Sequence, residues 1–315
     1  MRRTAPIIIL TLTCALLISM AAAVALGPSG ISFGSLLTLD NAWMILWEIR
    51  VPRVIAAALV GCGLAVAGTA MQGLFRNPMA DPYIIGTSSG GALGATLAIV
   101  LFAGTGRTVL AFAGAMIATF TVYFIARRGG KIPVETLLLS GVALATLLSA
   151  LLSFLMYTAG RSLHQIMFWL MGGFWNISWN DVAVALPILI GGAGIYLFAR
   201  DLNILALDEE DATHLGANVE RAKQILLALS AFVTGIAVAV AGSIGFIGLI
   251  TPHVMRLIIG PDHRFLFPAA ALAGAILLVW ADALTRTFTS DMPVGILTAC
   301  FGAPFFIYLL RSRMK

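Results

Sequence analysis

AGSIGFIGLITPHVMRLIIGPDHR, residues 241–264, carries more of the fold than any other stretch of this chain. Its apolar window, near residues 244–260, is short for a crossing, because a spanning helix needs about 20 apolar residues. Gly242, Gly245 and Gly248 permit extended backbone that other residues resist. Thr251 followed by Pro252 reads as an N-cap with proline at the first helical position. The expectation is a re-entrant segment and then a short helix that restarts at Pro252. Irregular backbone at membrane depth survives only inside protein, so this stretch requires a bundle of helices around it.

The rest of the chain supplies that bundle. It has 315 residues, 60% of them hydrophobic and 10% charged, with 32 glycines and a mean hydropathy of +1.00, which excludes an ordinary soluble domain. Apolar windows of spanning size fall near residues 5–26, 54–75, 82–105, 108–126, 134–157, 182–199, 222–241, 244–260, 266–288 and 294–310. The expected fold is therefore all-α, a single polytopic membrane domain over residues 1–315 with about ten transmembrane helices, the short one being the eighth. In RNPMADP, Asp81 and Pro82 have the form of an N-cap and first helical residue opening the third span.

Charge sets the orientation. With the N-terminus inside, only Arg50, Arg53, Arg107, Arg161 and Arg286 fall outside, leaving 14 of the 19 lysines and arginines on the cytoplasmic side. The positive-inside rule then places both termini in the cytoplasm and the protein in the cell membrane. The net charge of +5 follows from topology and anionic lipid headgroups, with no call for nucleic acid. MRR followed by an apolar run ending in AAAVALG imitates a signal peptide, but the run is longer than a signal core of about 7–15 residues and reads as an uncleaved first helix. Cys14, Cys62 and Cys300 lie in apolar spans without metal-ligand spacing, as small packing residues.

One long polar island interrupts the apolar chain: DLNILALDEEDATHLGANVERAK, Asp201 to Lys223. Its acidic residues suit the first turn of a helix, Ala212, Leu215 and Ala217 give a small apolar surface, and Gly216 breaks the pattern into two short helices. A solvated loop and a docking surface for a soluble partner both fit these residues. On the outer side, SLHQIMFWLMGGFW at 162–175 suits a helix lying at the interface. There Arg161, His164 and Met167 are candidates to meet an anionic or iron-bearing ligand, although an interfacial helix explains them equally well.

Taken in order, RVPR at 50–53, the Gly63–Gln72 stretch leading into RNPMADP, LNILALDEEDATHLG, GFIGLITPHVMRLIIGPDHR, ADALTR at 281–286 and PVGILTACFGAPFF at 293–306 resemble the FecCD-type permeases. These are membrane subunits of ABC importers for ferric siderophores, heme and cobalamin. The resemblance implies a type II ABC importer permease fold and a second permease copy, most simply as a homodimer. It also implies two cytoplasmic ABC ATPases and a periplasmic or surface-anchored binding protein. Coupling to the ATPase would fall on segment 201–219, through Ala206, Leu207, Asp208, Glu209, Glu210, Ala212, Leu215 and Gly216. Docking of the binding protein would fall on Arg50, Arg53 and Arg286. The chain itself would be no enzyme and hold no cofactor, since Mg-ATP belongs to the partner and no phosphate-binding glycine loop occurs here.

Two rivals come from other classes. A secondary transporter driven by an ion gradient needs ionisable residues near the bilayer midplane, and the sequence offers only Asp282 with Arg286, one helical turn apart and toward the outer end. A membrane-embedded hydrolase needs a paired metal or nucleophile motif, which is lacking; His253 and His263 read as structural. An importer of the same family carrying an oxyanion remains a further alternative.

Overall fold

The computed structural model describes residues 4–27, 42–206, 218–289 and 292–313. It is all-helical, and the one β-type pairing among the described residues joins Arg128 to Lys131 across a turn. Helix α1 covers Ala5–Ala25. Helix α2, Val51–Leu74, is entered through a wide π-helical turn at Ile45–Arg50. Then come α3 (Thr87–Phe102), α4 (Arg107–Ala126) and α5 (Val134–Thr158). The short α6 is Leu163–Leu170. Helices α7 (Trp179–Ala185) and α8 (Pro187–Leu197) meet at Pro187, which has no N–H to continue the ladder. Helix α9 (Ala199–Leu205) carries the first residues of the polar island, and α10 (Val219–Ala241), α11 (Ile247–Ile259), α12 (His263–Phe288) and α13 (Val294–Arg313) follow.

Each of the ten apolar windows holds a helix, but they are not equal. Seven are long and apolar enough to cross a membrane, whereas Thr87–Phe102, Ile247–Ile259 and Val294–Tyr308 are shorter. This is a multi-pass membrane protein. Helix α2 is its axis, packed by α12, α10, α11 and α8. The most apolar stretch of the α2 span is 83% buried and that of α10 is 72%, against 11% for α1 and 17% for α5. The outer helices therefore turn their leucines and phenylalanines to lipid, which costs nothing in a solvent as apolar as they are.

Small residues hold the axis together. A Cβ on Gly61 of α2 would stand 2.3 Å from the carbonyl oxygen of Gly274 in α12, and one on Gly90 of α3 would stand 2.3 Å from that of Gly114 in α4. In both pairs, backbone meets backbone. Without a hydrophobic drive between helices in lipid, such close approach supplies the van der Waals contact that replaces it.

Two local expectations are corrected. Helix α11 begins at Ile247 rather than at Pro252, with Phe246 as N-cap at φ 70°. Thr251 does not cap; its hydroxyl donates back to the carbonyl of Ile247 at 2.6 Å. Pro252 lies inside the helix and cannot bond the carbonyl of Gly248, and Gly68 of α2 packs against that carbonyl. Similarly, Asp81 does cap, accepting the Tyr83 N–H at 2.8 Å, but the element it opens is a single 3-10 turn, Pro82–Ile85. Gly86 then turns left-handed at φ 82°, and α3 starts at Thr87. Both errors share a cause: proline signals fix a turn, while tertiary packing fixes where the long helix runs.

The glycine-rich entry to α11 is enclosed by protein. Tyr83 donates its hydroxyl to the carbonyl of Ile244 at 2.9 Å, and Gly173 N–H reaches that of Ala241 at 2.8 Å. Gln72 donates to Leu249 O at 3.0 Å, and the hydroxyls of Ser88 and Ser243 share a bond of 2.8 Å. The helix-free residues before α11 and its first turn thus find protein partners for their polar groups.

Candidate functional site

A cavity of about 670 Å³ opens at one end of the bundle. It is formed where the π-helical turn (Ile49) and the start of α2 (Arg53), the start of α4 (Arg107), α6 with the turn after it, and the end of α10 (Val240, Ala241) converge. Aromatic rings make its wall: Phe168 lies 4.2 Å from Trp175 between ring centroids, and His164 stacks on Phe168 at 5.9 Å and 29°. Arg53, Arg107 and His164 supply basic edges. The ring-lined hollow has room for a large ligand with flat apolar faces, with Arg107 at its edge for a polar group. Nearby, Trp47 packs on Trp179, whose indole N–H donates to the Trp47 carbonyl at 2.9 Å and ties the π-helical turn to α7.

Behind the cavity lies a buried charged cluster. Arg53 grips both oxygens of Asp282, from Nε at 2.9 and 3.1 Å and from Nη2 at 2.8 Å. Arg286 approaches the same carboxylate at 3.5 Å, one turn along α12, and also donates to the carbonyl of Ala23. Arg50 donates to the carbonyls of Val24 and Ala25, each at 3.1 Å. Cations thus meet the open carbonyls at the C-terminus of α1, where the helix dipole is negative. Arg50, Arg53 and Arg286, the residues expected to dock the binding protein, are 3%, 9% and 3% exposed in this chain; they fasten α1, α2 and α12 together, and Arg53 also reaches the cavity lining.

At the opposite end, Asn203 of α9 donates to Asp262 at 2.7 Å and accepts from the His263 N–H at 2.9 Å. Glu220, in the first turn of α10, accepts from the backbone N–H of Ile132 at 3.0 Å and from Lys223 at 3.1 Å. Asp81 also lies at a turn between helices, where burial pushes its carboxyl up to about 6 against the pull of the Tyr83 N–H. Of the coupling residues, Ala206 ends α9; Leu207, Asp208, Glu209, Glu210, Ala212, Leu215 and Gly216 lie outside the described residues.

The model of the FecCD transport family matches residues 12–312. The chain belongs to the FecCD transport family. It is 51% identical to the cobalamin import system permease protein BtuC of Halobacterium salinarum over 87% of this chain and 75% of that one. It is 45% identical to the hemin transport system permease protein HmuU of Yersinia pestis, over 91% and 90%. A solved structure described as an inward-facing metal-chelate type ABC transporter superimposes with a TM-score of 0.87 at 33% identity, covering 98% of this chain and 99% of that one. Proteins of this family are ABC permease subunits, with the ATPase a separate chain.

Within this FecCD protein, the outer-side reading of the sequence fares unevenly. Of Arg161, His164 and Met167, only His164 lines the cavity; Arg161 and Met167 are exposed away from it. Arg107, Phe168 and Trp175 do line it and were not singled out as site residues. Arg107 had a legible signal, since it is one of the five basic residues that the positive-inside reading of the sequence sets apart. The aromatics had none beyond membership of an interfacial helix, because the tilted ring contact of Phe168 with Trp175 depends on the turn at Gly172, where φ is 70°.

Proposed function

We propose that this chain is the permease subunit of an ATP-driven importer that passes a metal chelate, such as a ferric siderophore, heme or cobalamin, through the membrane by alternating access. The observation that carries the reading is the ring-walled, arginine-edged cavity in a fold shared with heme and cobalamin permeases. Two copies would pair around the pathway, and two ATPases would seat the 201–219 segments from the cytoplasm. A binding protein would deliver cargo at the cavity end. Arg50, Arg53 and Arg286 would serve that docking from behind, by holding the α1, α2 and α12 termini that form the surface. Both termini would be cytoplasmic, following the 14-to-5 division of basic residues.

Reconstitution into proteoliposomes tests this. With the ATPase and the binding protein present, hemin or cyanocobalamin uptake should require ATP and Mg²⁺ on the cytoplasmic face and survive ionophores. Uptake that proceeds without ATPase and collapses with an ionophore would establish the ion-coupled rival instead. The absorption spectrum of the binding protein purified with its ligand would identify the chelate, because heme, cobalamin and ferric catecholates absorb differently.

A further inference from the structure

We infer that Asn203 and Glu220 are the two positioning residues that carry movement of the polar segment into the transmembrane bundle; the inference rests on the permease reading above. They stand on the two flanks of residues 206–218, just before and just after it, and each reaches far along the chain. Asn203 bonds Asp262 and His263, 59 and 60 residues away. Glu220 bonds the N–H of Ile132, 88 residues away.

The geometry of each tie suits force transmission. The amide of Asn203 uses both ends: Nδ2 donates to the carboxylate that caps α12, while Oδ1 accepts from the first N–H of that helix and lies 2.8 Å from the His263 Nδ1. The His263 ring in turn fills the space beside Gly73, where a Cβ would sit 2.7 Å from its Nε2. Asn203 is thereby coupled to the start of α12 and the end of α2, the axis of the bundle. Glu220 instead holds Ile132, immediately before Pro133 and α5, and is itself held by Lys223, which is 5% exposed. One flank therefore commands the axis and the other commands α5, the outer helix that is least embedded after α1. Charge-assisted bonds in partly buried sites are short and directional, so they transmit displacement that apolar contacts would let slip.

The test uses the full complex of this chain with the ATPase subunit that co-purifies with it, in lipid nanodiscs and without its native cysteines. Spin labels at Thr105 and Glu135 report α5, and labels at Thr105 and Arg264 report α12; all three positions are exposed. Distances are compared without nucleotide and with ATP-vanadate. Both distances should shift in the parental complex. Glu220→Ala should lose the α5 shift and keep the α12 shift, Asn203→Ala should do the reverse, and Glu220→Gln, which retains an acceptor for Ile132, should keep both. If an alanine variant does not insert, Asn203→Asp and Glu220→Lys, which oppose like charges or remove the acceptor, replace it with the same expectation. Parental shifts in every variant, with ATPase bound, would overturn the inference. A parental chain that captures no ATPase, or shows no nucleotide-dependent shift, would instead overturn the permease reading and the inference with it.

Discussion

Arg53 and Asp282 lie 229 residues apart in the chain and face each other in a two-pronged ion pair, the guanidinium Nε bonding both carboxylate oxygens at 2.9 and 3.1 Å. Asp282 is 1% exposed and receives Arg286 as well. A buried charge left without its partner is far costlier than the pair is favourable.

Asp282→Asn should therefore lower stability by about 3–5 kcal/mol, the range for breaking a buried ion pair, read as a fall in the thermal unfolding midpoint in detergent. Arg53→Gln should lower it too. A docking residue at an exposed rim would instead weaken binding-protein affinity at an unchanged midpoint, so the two measurements together separate an interior role from a surface one.

The glycines where α2 meets residues 241–264 make a graded series. A Cβ on Gly248 would lie 2.7 Å from the Leu64 carbonyl oxygen, and one on Gly68 only 1.9 Å from that of Gly248. Gly68→Ala and Gly248→Ala should each cost about 1–3 kcal/mol or more through forced separation of α2 and α11. Gly245 has no atom within 4 Å of such a Cβ and no positive φ. Gly245→Ala should be neutral in the same unfolding assay, and a loss there equal to that of Gly68→Ala would refute the packing account.

Asp81 predicts a pH dependence. Its carboxyl, raised from 3.8 to about 6 by burial, binds a proton in the folded state that the unfolded chain has already released. The stabilisation is complete below about pH 3.8 and is lost as pH rises through 6, so this group makes stability fall across that window. Asp81→Asn keeps an oxygen for the Tyr83 N–H and removes the ionisation. The variant should match or exceed parental stability at pH 7.5, and its stability profile between pH 4 and 6 should be flatter; an unaltered slope would show that another group titrates there.

Arg107 and Phe168 test the cavity. Arg107→Glu should cut cargo uptake about tenfold, the worth of one charge-assisted contact, with ATPase assembly intact. Phe168→Ala should do likewise by removing the ring between His164 and Trp175. Arg161→Glu, outside the cavity, is the control and should transport at the parental rate.

Membrane residence, the helix-bearing windows and the family motifs were all readable in the sequence, because each depends on local composition or on residues close together in the chain. A run of 20 apolar residues states its solvent, and a proline after aspartate states a turn. What lay beyond reach was every feature made between distant segments. The start of α11 at Ile247 rather than Pro252 answers to Gly68 packed on Gly248, and that contact joins positions far apart in the chain. The burial of Arg50, Arg53 and Arg286 depends on the C-terminal carbonyls of α1 and on Asp282. The cavity depends on rings from α6 and the turn that follows meeting the ends of α2, α4 and α10. Hydropathy sums over neighbours along the chain and therefore finds the helices. Partner choice for a buried charge is settled across the bundle, where an unpaired group costs several kcal/mol, and only the tertiary structure shows which carbonyl or carboxylate meets it.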